Sequence, residues 1–507
     1  MRILFVTMAA VEGGPAGPTS RIASTRYRVL MPAQQLDRLG HQVQIATLPP
    51  GPVPAAFLQV ACDVLVFSKS FRPEHEPLIQ AVRARGAKVV ADYCDDHFGR
   101  EDIGAWYTRL AKTADIVVAS TRAMADAVRA HANREATVIT DPIEGRRGAP
   151  AFGPHLPSLR ILWFGNHNNL MSIVDRMAEV RSLAARVALD ITILTTPGAG
   201  VDTLLADLVR LEPARITGRV VPWSLEGTWT ALEECDLVWI PVIDGERYSV
   251  KSANRLVESV WAGRYVVADA MPTYEPYGDL VAVGTGLVKG VMDALAAPDA
   301  VERRIAQAQR RVSKEHSLFE VGLQWARALG DNAPRPLKLN LGCGDKILPG
   351  YVNVDVVQSR AGMRPDVICD LHDLAPFGDA TADEILTVHV VEHFWRWEIA
   401  DVLKEWVRVL KSGGRMIVEC PNIAAACETF LQDPVRHARA DQDGQRTMWV
   451  FYGDPQWKDP LMIHRWGYTP DSLKALLAEA GLADVRQEPA QFKLREPRDM
   501  RVVGVKT

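Results

Sequence analysis

The sequence has no apolar run approaching the roughly 18 residues that cross a bilayer, so a membrane-spanning helix is not expected. It has no Cys-x-x-Cys pair. Its seven cysteines, at 62, 94, 235, 343, 369, 420 and 427, are odd in number and scattered. This excludes a disulfide framework or a cysteine metal cage and suits a reducing cytoplasm, with most of these thiols acting as small core residues. It has little surplus of either charge. A net charge of −4 leaves no overall basic field for nucleic acid. Internal repeats and low-complexity tracts are missing too. Met1-Arg2-Ile3-Leu4-Phe5-Val6 runs straight into a strand-like segment, too short and wrongly flanked to read as a secretory signal.

What is present is a globular balance of 48% hydrophobic and 24% charged residues. At about 100–200 residues per domain, 507 residues predict about three domains. Strand-like runs alternate with helical segments along the whole chain, which predicts α/β architecture with parallel sheets covered on both faces. In such sheets ligands collect at the carboxyl ends of the strands.

Over residues 1–150 the strands are read at 2–7, 42–47, 64–68, 88–92, 116–120 and 137–140. The first strand ends in a loop, 8–28, with Gly13-Gly14-Pro15 and then Ser24-Thr25-Arg26-Tyr27-Arg28. Glycines and arginines there suit an anionic ligand at a helix start, or else a solvated loop with surface arginines. Asp92-Tyr93-Cys94-Asp95-Asp96-His97 ends another strand. Its carboxylates and His97 suit a catalytic or metal site, or polar capping of the next helix.

A Gly/Pro-rich connection, 145–157, opens a second set of strands at 160–164, 191–195, 220–223, 237–242 and 265–268. Ser252 is placed to cap a helix over 253–261 that Gly263 closes. The start of that helix, with Arg247 and Lys251, suits an anion, and Glu258 lies one to two turns deeper. Residues 317–329 read as a late helix, and Asn332-Ala333-Pro334-Arg335-Pro336 as a stiff linker.

Lys251-Ser252-Ala253-Asn254-Arg255-Leu256-Val257-Glu258, followed by Ala262-Gly263-Arg264-Tyr265-Val266-Val267, resembles the donor motif of GT-B glycosyltransferases of the GT4-like group. The resemblance covers residues 1–330 diffusely. It implies two doubly wound Rossmann-like domains, an acceptor-side domain at 1–150 and a nucleotide-sugar donor domain at 151–330. It also implies a late helix crossing back onto the first domain. Gly14, Arg247, Lys251, Asn254 and Glu258 would then contact the nucleotide-sugar, Glu258 at the ribose, and His97 is the catalytic candidate. Two departures stand out. Val250 occupies the position eight before Glu258, where the family often has a second glutamate. Trp163-Phe164-Gly165-Asn166-His167-Asn168-Asn169 replaces the family's arginine and lysine.

The densest pattern lies further on. Leu339-Asn340-Leu341-Gly342-Cys343-Gly344-Asp345 reads as a strand and a glycine turn, and Tyr351-Val352-Asn353-Val354-Asp355 as a second strand ending in a carboxylate. The turn admits close approach of a ligand to backbone N–H groups, and the acid suits ribose hydroxyls. The third glycine of a pyrophosphate-binding turn is missing, which speaks against a dinucleotide. With Val367-Ile368-Cys369-Asp370-Leu371, then His389-Val390-Val391-Glu392-His393, then Lys411-Ser412-Gly413-Gly414, this order resembles class I S-adenosylmethionine (SAM) methyltransferases of the type 11 kind. The resemblance implies a third Rossmann-like domain at 335–507. Gly342, Cys343, Gly344, Asp355, Asp370, Leu371 and His389 would hold SAM. Candidate bases for the acceptor hydroxyl are Glu392, His393 and His464; no metal ligands are assigned.

The two resemblances together predict a bifunctional transferase of polysaccharide biosynthesis. One half would transfer sugar from a nucleotide-sugar; the other would methylate a hydroxyl of a glycan or lipid-linked saccharide. Such acceptors place it in the cytoplasm or at the inner membrane face. The alternative is a methyltransferase carrying an inactive glycan-binding module or scaffold.

Overall fold

A computed structural model describes the chain except residues 15, 16, 49, 70, 154–156, 199, 244, 246–248, 334, 358, 359, 361, 440, 441 and 493–497, and the side chains of 14 and 442–445. Contacts divide it into two compact units, Met1–Asn332 and Ala333–Thr507. The first unit holds two six-stranded sheets and the second one seven-stranded sheet.

In the first sheet all strands are parallel, ordered Gln42–Thr47, Arg2–Thr7, Val64–Ser68, Lys88–Tyr93, Ile116–Ala119, Thr137–Val138. Val64–Ser68 is buried along its whole length, as a parallel strand covered on both faces must be. Side-chain alternation splits the core in two. Leu4, Val6, Leu65 and Phe67 face one layer of helices, and Ile3, Phe5, Val64 and Val66 the other. The second layer contains Val321 and Trp325 of the late helix Leu318–Ala328. Ser317 caps that helix by accepting the Glu320 N–H, and Trp325 packs edge-on against Phe5 at 5.8 Å. The late helix therefore returns to the first sheet, as the resemblance implies.

The second sheet is also parallel, ordered Ile216–Pro222, Leu189–Thr195, Leu159–Gly165, Leu237–Ile240, Tyr265–Ala268, Ala282–Val283. This is the doubly wound order, in which the chain reverses direction across the sheet beside its first strand. The two-residue strand Ala282–Val283 is too short to stand out in the sequence. The helix between strands Leu237–Ile240 and Tyr265–Ala268 is Asn254–Trp261; its N-cap is Ala253 with no side-chain cap, so Ser252 does not cap it. Gly263 closes it at φ +76°.

The third sheet runs Val367–Ile368, Val352–Asp355, Lys338–Leu341, Ala382–Val388, Leu410–Pro421, Asp499–Lys506, Leu482–Glu488. The first five strands are parallel, and the last two form the antiparallel closing pair. Thr469 and Ser472 make a capping box at helix Pro470–Glu479, with Pro470 in its first turn. Residues 424–465 carry no clear pattern in the sequence. They form helices Ile423–Gln432, Pro434–His437 and Gln442–Tyr452 and two short 3₁₀ turns. Among the described residues no helix is long and apolar enough to cross a membrane.

Candidate functional site

In the N-terminal unit the charged groups at the strand ends are matched to one another. Arg28 is fully buried and donates to Asp92 Oδ1 at 2.5 Å and Asp141 Oδ1 at 3.1 Å. Arg26 donates to Glu144 Oε1 at 2.6 Å. These arginines are thus neither solvated nor open to an anion, because each already neutralises a buried carboxylate. Gly14 is not part of an open loop; it ends the hairpin strand Glu12–Gly14, opposite Gly17. Lys251 pairs with Asp95, which Lys69 also reaches, and Asn254 Nδ2 donates to Asp141 Oδ2 at 2.8 Å. Arg247 lies outside the described residues. His97 packs against the Tyr107 ring at 5.5 Å. Burial first, then the charges of Lys69, Arg100 and Lys251, push its imidazole down to about 4, so it is neutral at pH 7. With Asp92 and Asp95 engaged by Arg28 and the two lysines, no metal-type cluster forms at 92–97 among the described residues.

Glu258 is buried, at 4% exposure, rather than on the helix surface. Its Oε1 accepts the Glu144 N–H and its Oε2 the Gly145 N–H, each at 2.8 Å, and the Tyr27 hydroxyl stands 3.4 Å away. A side chain at Gly145 would meet Glu258 Oε2 at 2.3 Å and Trp229 at 2.5 Å, which explains the glycine. Burial pushes the Glu258 carboxyl up to about 8, against the lowering effect of the Glu144 N–H.

In the C-terminal unit the ligand-type turn is built at the switch point, where the sheet order reverses beside Lys338–Leu341. Gly342 and Gly344 adopt φ of +67° and +54°, the left-handed region that glycine enters freely. The Gly342 N–H bonds to Val354 O at 2.8 Å. Gly344 donates its N–H to Asp355 Oδ2 at 2.7 Å, and Val357 donates to Oδ1 at 2.9 Å. Each carboxylate oxygen keeps a lone pair for a hydroxyl. Cys343 is buried between the glycines. Asp370 accepts the His372 N–H at 3.0 Å and faces its Nδ1 at 2.8 Å; this contact first of all raises the His372 pKa. Leu371 is buried, and its carbonyl accepts the Trp406 indole N–H at 2.8 Å.

The methyltransferase-domain family model matches residues 350–418. The C-terminal unit carries a methyltransferase domain. Among solved structures, the chain is similar to a mutant of S. aureus TarM in complex with fondaparinux, alpha-GlcNAc-glycerol and UDP (11% identity, TM-score 0.41, 53% of this chain and 55% of that one). It is similar also to a glycosyltransferase from Rickettsia africae (11% identity, TM-score 0.48, 66% of this chain and 99% of that one). A SAM-dependent methyltransferase from Archaeoglobus fulgidus matches as well (18% identity, TM-score 0.24, 39% of this chain and 94% of that one). The chain spans about half the length of TarM. No curated protein matches it.

Within the methyltransferase domain, strand Ala382–Val388 delivers a cluster beside the glycine turn. His389 sits at φ +57°, a strained position for a side-chain-bearing residue, held by its N–H to Glu419 O at 2.8 Å. Its ring stands between the buried carboxylates of Glu392 and Asp499. Turn Val391–His393 then buries Glu392 and brings His393 beside His464, ring centroids 4.9 Å apart. Burial opposes ionisation of Glu392, but His389, then His393 and His464, outweigh it and hold the carboxyl at about 2. The three base candidates are therefore one cluster.

Three groups escaped the sequence reading. Asp499 is a buried acid at the start of the closing strand Asp499–Lys506. His372 is the partner of Asp370. Asn340 donates to Asn353 Oδ1 at 2.9 Å, and Asn353 to Asp366 Oδ2 at 2.8 Å through its backbone N–H, a buried polar ladder under the glycine turn. The signal for the ladder was available: two asparagines inside buried strands need partners.

Proposed function

We propose that the C-terminal unit binds SAM and methylates a hydroxyl of a glycan or lipid-linked saccharide, and that the N-terminal unit transfers sugar from a nucleotide-sugar. The observation that carries the first part is the Gly344–Asp355 turn at the switch point, whose carboxylate is fixed by two backbone N–H groups yet keeps acceptor capacity for ribose hydroxyls. SAM supplies an activated methyl group; as the new C–O bond forms the S–C bond breaks and sulfur keeps its electron pair. The chain's own contribution is positioning. Gly342, Cys343 and Gly344 admit the ligand to the backbone, Asp355 takes the ribose, and Asp370 and Leu371 lie at the next strand end, on the adenine side. Glu392, His393 and His464 receive the acceptor hydroxyl and its proton. A cavity of about 560 Å³, lined by Trp449, Tyr452, Met462 and Ile463 among others, lies next to His464 in the chain and suits an acceptor. Exposed Trp395 and Trp397, stacked at 4.8 Å, offer flat apolar faces to sugar rings.

A second reading has specific support in the N-terminal unit. Glu258, Lys251 and Asn254 are all engaged by the protein's own groups. This favours a glycan-binding or scaffolding module without sugar transfer.

One thermal-unfolding panel on the full chain separates the readings, with S-adenosylhomocysteine and with UDP, GDP, ADP, CMP and dTDP. A ligand at 100 times its Kd adds roughly 2.7 kcal/mol to the native state. That is a shift on the order of 5–10 °C for a unit of this size. Shifts with S-adenosylhomocysteine and one nucleotide support both activities. A shift with S-adenosylhomocysteine alone supports the second reading, and none with it overturns the methyltransferase assignment.

A further inference from the structure

We infer that Glu392, His393 and His464 form a binding site for a first-row divalent cation such as Zn²⁺, with an open position for the acceptor hydroxyl. This deepens the proposed methyl transfer and rests on it only for the role of the cation; the cation site itself stands on geometry.

One carboxylate oxygen of Glu392 and one ring nitrogen from each histidine lie within 4.8 Å of one another. The set comes from two separate stretches, the turn Val391–His393 and the loop after Pro460–Met462. That loop is tied to the turn by its backbone, since Arg465 donates its N–H to Glu392 O at 2.7 Å. The second observation concerns the far side of each ring. His393 Nδ1 lies 3.1 Å from Ile463 O, and His464 Nδ1 lies 2.9 Å from Val450 O. A backbone carbonyl only accepts, so each Nδ1 carries a proton, and the neutral form of each ring then offers its Nε2 lone pair to a cation. His464 Nε2 stands 3.9 Å from Glu392 Oε1. This is the outer-shell arrangement that fixes tautomer and ring direction in metal-ligating histidines. The third observation is Glu392 itself: 1% exposed, with neither carboxylate oxygen in a well-formed hydrogen bond. Its nearest donor is the His389 ring, 3.3 Å from Oε1, so the buried carboxylate keeps lone pairs that a cation can take.

Two histidines and one carboxylate are the donor set of open catalytic zinc sites and of facial triads. A tetrahedral cation with bonds of about 2.0–2.1 Å holds its ligands about 3.4 Å apart, so closure takes movements of about an ångström per side chain. A hydroxyl at the open position would lose its proton to water more readily, and the three side chains would then hold the cation instead of taking that proton. His389, 3.3 Å from Glu392 Oε1, is the positioning residue behind the carboxylate.

The test is calorimetric titration of the chelator-treated full chain with Zn²⁺, repeated with Co²⁺ for its absorption spectrum. The expected result is one equivalent bound without a thiolate-to-cobalt band, which separates this site from the seven cysteines. His393→Ala and His464→Ala are each expected to weaken binding by more than the roughly 10–100-fold of an outer-shell loss. His464→Gln, with S-adenosylhomocysteine binding measured in parallel, reports whether a variant is folded. Sub-stoichiometric binding, or binding unchanged in both histidine variants, overturns the inference. If S-adenosylhomocysteine binds and the cation does not, this inference fails and the methyltransferase reading stands. If the cation binds through these residues and S-adenosylhomocysteine does not, the site stands and its role in methyl transfer falls.

Discussion

The ring of His389 bridges two buried carboxylates, with Nδ1 3.3 Å from Glu392 Oε1 and Nε2 3.3 Å from Asp499 Oδ1. Both acids are almost fully buried. Removing the ring strands them without a partner in a medium that penalises charge. His389→Ala is therefore expected to cost the C-terminal unit about 3–5 kcal/mol in denaturant unfolding. A cost below about 1 kcal/mol, the range of exposed pairs, would show that the bridge is immaterial.

The two glycines of the turn differ in a way that unfolding and ligand titration detect. At Gly342 a Cβ would meet the Val390 side chain at 2.5 Å, in addition to the positive φ. At Gly344 the nearest atom is Arg360 Cδ at 3.6 Å, so only the backbone angle resists. Gly342→Ala is expected to cost about 1–3 kcal/mol from overpacking on top of the roughly 1–2 kcal/mol for φ. Gly344→Ala bears the second cost alone. Equal effects of the two on S-adenosylhomocysteine affinity and on stability would contradict the assigned contacts.

Asp355 fixes the turn through two N–H groups and, under the proposed function, holds the ribose. Asp355→Asn keeps the shape but turns one acceptor into a donor that faces an N–H. Calorimetry is expected to show a loss of S-adenosylhomocysteine affinity of at least about tenfold, or roughly 1.4 kcal/mol. Unchanged affinity would remove Asp355 from the ribose site.

Glu258 gives the N-terminal unit a pH dependence with a definite sign. Its folded-state pKa, about 8, lies above the ordinary carboxyl value. The folded state therefore binds more protons than the unfolded chain between these values, and stability from this group falls as pH rises through roughly 5 to 8. Comparing unfolding midpoints of the wild type and Glu258→Gln across that range isolates the contribution: the wild type should decline relative to the variant. A parallel pair of curves would mean that the two N–H donors keep the carboxylate ionised throughout.

Glu258→Ala would leave the Glu144 and Gly145 N–H groups without acceptors and a void beside Trp229. A loss of about 2–4 kcal/mol is expected, since each orphaned buried donor costs roughly 1–3 kcal/mol. If the variant instead keeps its stability and loses only a nucleotide-induced thermal shift, Glu258 is a ligand group and not a latch on the 141–145 connection.

The three α/β sheets and most strand positions were legible in the sequence because buried parallel strands are continuous apolar runs such as Val64-Leu65-Val66-Phe67, bounded here by Asp63 and Ser68. The glycine turn and Asp355 were legible because backbone conformation and strand-end position depend on residues a few places apart. What the sequence could not decide was who pairs with whom across long separations. Arg26 and Arg28 read as anion-binding or as surface arginines, yet each neutralises an acid more than 60 positions away. Glu258 read as a helix carboxylate at a ribose, yet each of its oxygens accepts an N–H from a connection 113 or 114 residues earlier. Glu392, His393 and His464 were separate candidates in the sequence and became one cluster only when the loop before His464 folded over the Val391–His393 turn. Local patterning sets which segments are strands and where chains turn. Whether a charged side chain is spent on the protein itself or left for a ligand is set by packing between distant segments, and that only the tertiary structure decides.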